Sequence, residues 1–318
     1  MGWDDREDEL SDLISVCYSH YIYDETQSQI AEKMGVSRAK VCKMIAKAKS
    51  RGLFTIQIND PLKHVRGLSD RLAEKYGLRM VKVVPVPKYG AISVLERLGR
   101  AAAEVFTSLL RNEDIIGVSG GSALYEMLLK MDEVPIDNTT IVPLLGGYAE
   151  TETSTRGTEI AYRIAEKLRA RIINMPVPGL ARDSEEAAIF CANPIVKKSM
   201  EWMRKCTIAV FGIGTVDHEG SLYKGGFLND LLVDELAEEN AAGCICFSCY
   251  DINGAPCERF NSKIIGMSLK DIVHIPLTIG VAGGSQNKTD AILGAIRGGY
   301  LNVLVTDQVT AEHLLEHE

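Results

Sequence analysis

The chain has 318 residues, a formal net charge of −8, and a composition of 46% hydrophobic and 25% charged residues. This length suits two or three domains, and the composition is that of an ordinary globular protein. No apolar stretch approaches the roughly 18 residues of a membrane span, and the acidic N-terminus does not look like a signal peptide. A cytoplasmic protein with reduced cysteines is therefore expected.

Positive charge is concentrated near the N-terminus. Residues 33–51 contain seven Lys or Arg and no acidic residue. Because the whole chain carries −8, the other residues together carry −15. One basic segment on an acidic body predicts a single, oriented contact with DNA, not a protein that coats nucleic acid.

This basic segment has the pattern of a helix-turn-helix. Thr26 and Gln29 form a capping-box start for a helix over residues 27–34, Gly35 permits a tight turn, and Ser37 suits the N-cap of a second helix. Cations lie on one side of that second helix and apolar residues on the other. An amphipathic hairpin with a solvated basic face is the alternative. The combination of caps, turn and confined cations favours a helix that enters the major groove.

The predicted DNA contacts lie on the second helix and at its start. Arg38 is suited to bidentate contact with guanine. Base contacts are expected from Ser37, Arg38 and Ala39, and phosphate contacts from Lys40, Lys43, Lys47 and Arg51. Residues 53–58 alternate in polarity and are predicted to form a short strand, the wing of this module.

Residues 62–76 form an amphipathic segment with one apolar stripe, Leu62, Val65, Leu68 and Leu72. The stripe predicts a linker helix or a dimer seam. The predicted domains are a DNA-binding domain at residues 1–60, a linker helix at 61–79 and an effector domain at 80–318.

From residue 80 onward, short apolar runs alternate with amphipathic segments. This order favours an α/β fold with a doubly wound parallel sheet covered on both faces. Strands are predicted at residues 80–84, 115–119, 140–145, 172–175, 207–211, 277–282 and 302–306, and helices at 92–110, 122–131, 158–168, 194–204, 229–238, 287–297 and 310–316.

Glycine-rich loops follow four of these strands, at residues 119–122, 146–147, 212–214 and 283–285. A tight turn between strand and helix also needs glycine, so each loop alone has a structural explanation. Because parallel strands end at the same sheet edge, four such loops together favour a ligand that carries phosphate. No loop matches a dinucleotide or ATP motif, and no cofactor is indicated. Lys288 and Arg156 are candidate cations for the phosphate.

Four cysteines, Cys244, Cys246, Cys249 and Cys257, form the one candidate metal cluster. Residues 243–250 alternate like a single strand, which places Cys244 and Cys246 on one face and Cys249 on the other. This arrangement favours buried free thiols over a metal site.

The chain resembles the SorC (sorbitol operon regulator) family of bacterial sugar-responsive transcriptional regulators from end to end. The likeness covers residues 27–52, the GVSGGS and LLGG loops, FGIGT, YDINGAP, and the block from Val281 to Asp307. It implies a winged helix-turn-helix joined to an effector domain that looks like a sugar-phosphate isomerase. It also implies a dimer or tetramer whose affinity for operator DNA is altered by a phosphorylated sugar or polyol.

Carried onto this chain, the resemblance predicts where the effector binds. The contacts implied are Ser119, Gly120, Gly121, Ser122, Gly283, Gly284, Ser285 and Lys288, with Gly146, Gly147 and Arg156 nearby. Two departures stand out. Cys244 occupies a position that is often acidic in relatives, which removes an acceptor for a sugar hydroxyl, and Leu145 leaves no lysine there for imine chemistry.

Two other functions compete with a DNA-binding regulator. One is a sugar-phosphate isomerase or deaminase fused to a DNA module, for which Glu159, Asp217 and His218 are the available acid–base groups. Nothing in their spacing pairs them. The other is a DNA-bound scaffold with a vestigial pocket.

Overall fold

The computed structural model describes residues 3–55, 63–86, 93–147, 157–224, 226–284 and 288–317. The chain divides into two compact units, Met1–Pro61 and Leu62–Glu318.

In its described residues, 3–55, the first unit contains three helices: α1 (Trp3–Tyr21), α2 (Gln27–Met34) and α3 (Arg38–Ser50). The capping box of Thr26, the left-handed Gly35 (φ 65°) and the cap of Ser37 on the Lys40 amide are all present, as predicted. No element was expected before residue 27. There α1 buries Leu13 and Val16 against α2 and α3, because a helical pair alone cannot bury its apolar faces.

The predicted wing falls partly outside the described residues. Residues 53–55 do not form a strand. Instead Leu53 and Phe54 are half-buried against the core of the first unit. Residues 56–58 of the expected strand lie outside the part of the chain that the structure describes.

Helix α4 (Lys63–Tyr76) belongs to the second unit. Its apolar stripe packs on strand β1 (Met80–Val84) and helix α15 (Gln308–Glu316). Val65, Leu68 and Leu72 are only 6%, 2% and 0% exposed. The prediction that this stripe is a dimer seam is wrong, because the stripe is already buried within its own chain. Leu62 lies outside the described residues.

Seven parallel strands form the sheet of the second unit, in the order β1-β9-β8-β5-β2-β3-β4. The predicted parallel sheet is confirmed. The chain moves from β2 to β3 in one direction and from β5 to β8 in the other, so its switch point lies between β2 and β5. After β1, the strands are β2 (Ile115–Val118), β3 (Thr140–Pro143), β4 (Arg171–Ile172), β5 (Ile208–Gly212), β8 (Leu277–Val281) and β9 (Val303–Asp307).

Helices cover both faces of this sheet. One face carries α5, α6 and α7, which bury residues such as Phe106, Met127 and Ile164. The other carries α4, α9, α14 and α15. The remaining helices are α5 (Val94–Leu109), α6 (Ser122–Lys130), α7 (Gly157–Leu168), α8 (Ser184–Ala192), α9 (Pro194–Met203), α10 (Ser221–Lys224), α11 (Asp230–Glu238), α12 (Glu258–Asn261), α13 (Leu269–Ile272) and α14 (Lys288–Arg297). Of these, α8, α10, α12 and α13 were not predicted.

The cysteine-rich segment is a hairpin, not the single strand that its alternation predicted. Strands β6 (Ala241–Ile245) and β7 (Ser248–Asp251) pair antiparallel around a two-residue turn. Cys246 (φ 50°) and Phe247 (φ 65°) both take left-handed backbone conformations there, the geometry of a tight hairpin turn. Cys244 lies directly opposite Cys249, so these two share a face, contrary to the prediction.

Candidate functional site

A cavity of about 340 Å³ lies at the switch point. Its walls come from the loops that follow β2, β3 and β5, from the hairpin β6–β7, and from the first residue of α14. An open parallel sheet binds ligands at this place, because the loops on either side of the switch point diverge and leave a crevice.

Three helix N-termini meet at this cavity. Gly121 and Ser122 start α6, Gly157 and Thr158 start α7, and Lys288 starts α14; all five line the cavity. The N-cap of α6 makes no side-chain hydrogen bond, so the first amides of this helix have no cap and are available to a ligand. Helix N-termini carry partial positive charge, so this part of the cavity has a positive potential that suits an anion.

Glycine is required where these elements approach one another. Gly121 has a φ of 121°, a backbone conformation that residues other than glycine avoid. A Cβ on Gly157 would lie 3.0 Å from the amide nitrogen of Gly120. A side chain at either position would push α7 away from the loop after β2 or strain that loop.

Lys288 is half-buried at the floor of the cavity. Removal from water lowers the pKa of its ammonium group, and the nearby Cys244 and the carboxylate of Asp307 oppose that shift. Lys224 is a second cation on the wall, with its Nζ 2.6 Å from Glu219. An anionic ligand would stabilise the charged form of Lys288.

The hairpin supplies the opposite, apolar wall. Cys244, Cys246 and Phe247 line the cavity, and the Phe247 ring meets Phe227 edge-to-face at 5.3 Å between centroids. Backbone hydrogen bonds between Cys244 and Gly214, 3.0 Å in both directions, attach β6 to the loop after β5. A phenylalanine held in a left-handed turn stores strain, a feature that often marks binding sites.

Seven predicted effector residues line this cavity: Ser119, Gly120, Gly121, Ser122, Gly146, Gly147 and Lys288. Arg156 and Ser285 lie outside the described residues. Gly283 and Gly284 are not among the lining residues. The amide of Gly284 donates to Asp307 Oδ2 at 2.7 Å, and a Cβ on Gly283 would collide with the same oxygen. The turn at Gly283 and Gly284 therefore packs closely against Asp307, the N-cap residue of α15.

Several lining residues were not predicted. Four of them are apolar or sulfur-containing and one is a lysine: Leu222, Phe227, Cys246, Phe247 and Lys224. The hairpin turn carried a weak signal, because two short strand-like stretches flank Cys246 and Phe247. Without an Asn-Gly or Asp-Gly pair, that turn resembles continuous strand.

Three thiols in and beside the hairpin, those of Cys246, Cys249 and Cys257, are buried and have raised pKa values. Burial raises the pKa of Cys246 and, with the adjacent Cys244, that of Cys249 well above the usual thiol value. Burial also raises the pKa of Cys257 to about 12. Thiolates, not thiols, bind metals. Within the described ranges no group of three or more His, Cys, Asp or Glu is placed to hold a metal ion.

The acid–base candidates of the enzyme alternative do not line the cavity. Asp217 accepts a hydrogen bond from Thr215 Oγ1 at 3.3 Å. His218 is exposed, with its Nε2 3.4 Å from Asp230, and packs on Tyr223. Glu159 is likewise absent from the lining residues.

The candidate DNA surface lies on α3. All seven predicted contact residues, from Ser37 to Arg51, are exposed, whereas Val41, Ile45 and Ala48 are buried. Two of the seven already have a partner: Glu9 of α1 binds both Lys47 and Arg51, the latter at 3.4 Å. These two cations lower the pKa of Glu9, so the pair is ionic at neutral pH.

The fold and the cavity define an α/β ligand-binding protein with an N-terminal helical unit. Residues 60–316 match the family described as "Putative sugar-binding domain". The chain is 32% identical to the deoxyribonucleoside regulator of Bacillus subtilis strain 168, over 93% of this chain and 94% of that protein. It is 26% identical to the sorbitol operon regulator of Klebsiella pneumoniae, over 98% and 100% of the two chains.

Solved structures agree with these matches. The crystal structure of full-length SorC, the sorbitol operon regulator from Klebsiella pneumoniae, superposes with a TM-score of 0.73 at 27% identity, over 97% of this chain and 99% of that one. The chain belongs to the SorC family of sugar-binding transcriptional regulators, which confirms the resemblance seen in its motifs. No helix in the described part of the chain has the length and apolar character that crossing a membrane requires.

Proposed function

We propose that this protein is a DNA-binding regulator of a carbohydrate-utilisation operon, controlled by a phosphorylated sugar or polyol in the switch-point cavity. It acts as a homo-oligomer and has no catalytic role. The relatives named above are regulators, and the matched family is a sugar-binding domain. For this chain we propose two further properties: the effector carries a phosphate group, and α3 binds the operator.

One observation carries the phosphate part of the proposal. Three helix N-termini and the half-buried Lys288 line the same cavity. A neutral sugar would leave that positive potential uncompensated, whereas a phosphate dianion accepts hydrogen bonds from several amides and pairs with the ammonium group. Ser119, Ser122 and Thr158 add hydroxyl groups for the sugar or the phosphate.

DNA binding is supported by how the first unit presents α3. The buried face of α3 is filled by Val41, Ile45 and Ala48, so its cations are left on the outside. Ser37, Arg38 and Ala39 stand at the exposed N-terminal end of the helix, the end that contacts base edges when such a helix enters the major groove.

The test combines ligand identification with two activity measurements on one protein stock. Mass spectrometry on protein purified without dialysis should find a phosphorylated sugar or polyol. Adding that compound should change operator affinity in a band-shift titration at fixed salt, and the compound should be recovered unchanged after incubation with the protein. Turnover of the compound would support an enzyme, and an operator affinity that ignores every sugar phosphate would support a scaffold.

A further inference from the structure

A second cleft, of about 350 Å³, lies at the β1 edge of the sheet. It is enclosed by α4, the last residues of β1 and the first turns of α5. In the sheet order, β1 is three strands from β5, roughly 14 Å at the usual spacing of strands. None of its lining residues also lines the switch-point cavity, so the two sites are separate.

The cleft is strongly basic. Its charged lining residues are four cations, Arg66, Lys82, Arg97 and Arg100, and a single carboxylate, Glu104. Glu104 lies 3.7 Å from Lys82, and both side chains are largely exposed. The neighbouring carboxylate Glu96 bonds to Lys130 on α6 at 2.6 Å, and Lys130, followed by Arg100 and Arg97, lowers the pKa of Glu96. Arg66 already has an interaction of its own, so Arg97 and Arg100 are the guanidinium groups that a ligand in the cleft would meet.

Arg97 is the most informative of these groups. Its Nε is buried and has no hydrogen-bond partner among the residues that the structure describes. A buried donor of a charged group without an acceptor costs free energy. Guanidinium groups match the paired oxygens of phosphate and carboxylate, so an oxyanion in the cleft would supply the missing acceptor.

The rest of the lining gives the cleft a firm shape. Val65, Val83 and Ala101 form apolar parts of the lining. Ser69 Oγ accepts a hydrogen bond from the Val83 amide at 3.2 Å, which joins α4 to the edge strand β1. A bound anion would contact Arg97 and Arg100 of α5 and would lie beside Ser69 of α4. Helix α4 is the first element after the boundary between the two units at residues 61 and 62.

From these contacts we propose that the cleft between α4, β1 and α5 is a second anion site, which binds the phosphate group of a small metabolite through Arg97 and Arg100. It is independent of the effector proposed for the switch-point cavity. Occupancy places the anion in the space between α4 and α5.

Inorganic phosphate is the probe, and ³¹P NMR line broadening at fixed ionic strength is the measurement, on the full chain. Lys288→Ala removes the half-buried cation of the first cavity and should leave saturable broadening that reports the cleft. Adding Arg97→Gln should weaken this remaining binding at least tenfold. The matched control adds Arg111→Gln, which removes an exposed guanidinium just beyond the end of α5, roughly 20 Å along the helix from Arg97, and should keep the binding. Circular dichroism verifies the fold, and Arg100→Gln replaces Arg97→Gln if that variant is unstable.

The outcomes separate the two sites. If Lys288→Ala alone abolishes all broadening, or if the Lys288→Ala, Arg97→Gln protein binds as well as its control, the cleft is not an anion site. If Arg97→Gln alone abolishes all binding of phosphate, the cleft binds and the proposed phosphate site in the first cavity fails.

Discussion

Lys288 is the residue on which the effector proposal depends most. Lys288→Ala should leave operator binding without ligand within about twofold of the wild type, because the change removes only a cavity side chain. The response to effector should be lost, or shifted to at least tenfold higher concentration, since a charge-assisted contact is worth about 1.5–3 kcal/mol. Band-shift titrations with increasing effector measure both quantities.

Lys270→Ala is the matched control, because Lys270 is exposed and paired with Glu258 outside the cavity. It should respond as the wild type does. A Lys288→Ala protein that responds at wild-type effector concentrations would mean that the phosphate binds elsewhere.

Effector affinity should also depend on pH through Lys288. Burial lowers the pKa of this ammonium group in the empty protein, and a dianion binds the protonated form. Below the lowered pKa the group is already charged and affinity is flat. As pH rises through it, binding must take up a proton, so affinity falls by at most about tenfold per pH unit.

Calorimetric titrations between pH 7 and 10 measure this slope, since the phosphate itself carries constant charge above its second pKa of about 6. Lys288→Ala is the control and should give a flat profile over the same interval. An identical fall in both proteins would assign the pH dependence to another group.

Glu9 competes with DNA for two cations of α3. Glu9→Gln should release Lys47 and Arg51 for phosphate contacts and raise affinity for all DNA sequences alike, by about two- to fivefold, as expected for an exposed ion pair. The salt dependence should steepen by about one to two phosphate contacts. Fluorescence anisotropy with a non-specific duplex over a salt series checks both.

Glu25→Gln is a fitting control, because Glu25 pairs with Lys33, which is not a predicted phosphate contact. It should change the affinity less and leave the salt slope alone. If the two variants behave alike, the effect comes from net charge and not from release of the α3 cations.

At the scale of elements, the apolar stripe of α4 packs within its own chain and does not form the predicted dimer seam. Leu72 is fully buried against β1 and α15, so Leu72→Ala should lower the free energy of unfolding by about 2–5 kcal/mol. The assembly state at low temperature should not change. Urea unfolding and light scattering on the same sample give the two values.

Leu231 provides the control for this substitution, because it is 78% exposed. Leu231→Ala should change the free energy of unfolding by less than about 0.5 kcal/mol. Stable monomers from Leu72→Ala with unaltered unfolding would restore the dimer-seam interpretation.

At the scale of the whole molecule, the proposed function requires symmetry. One helix-turn-helix contacts few base pairs, and two half-sites about one helical turn apart or a multiple of it need two related copies. Light scattering at micromolar concentration should give a mass of two or four chains of 34.8 kDa. A monomer that binds operator with full affinity would contradict this prediction. Since the α4 stripe is buried, the contact between copies must use another surface.

Local sequence patterns were sufficient to predict those elements whose formation depends on residues close together in the chain. Caps, a left-handed glycine and 3.6-residue periodicity predicted α2 with the observed bounds and the observed start of α3, because those signals act within one or two turns. Runs of buried apolar residues likewise predicted the seven parallel strands, although several ends moved by one to three residues. Helix α1 was not predicted, because its first residues are mostly acidic and its apolar residues, such as Leu13 and Val16, become buried only by packing against α2 and α3.

The sequence by itself determined the helix pair, the parallel sheet, the glycine loops and the family. Tertiary structure decided which of those loops meet. Strand order places the loops after β2 and β5 on either side of the switch point, together with Lys288, and it brings the Gly284 amide to the carboxylate of Asp307. It also folded the cysteine segment into a hairpin that forms the apolar wall. The physical reason is that strand order and side-chain contacts join residues far apart in the chain, and periodicity carries no information about such pairs.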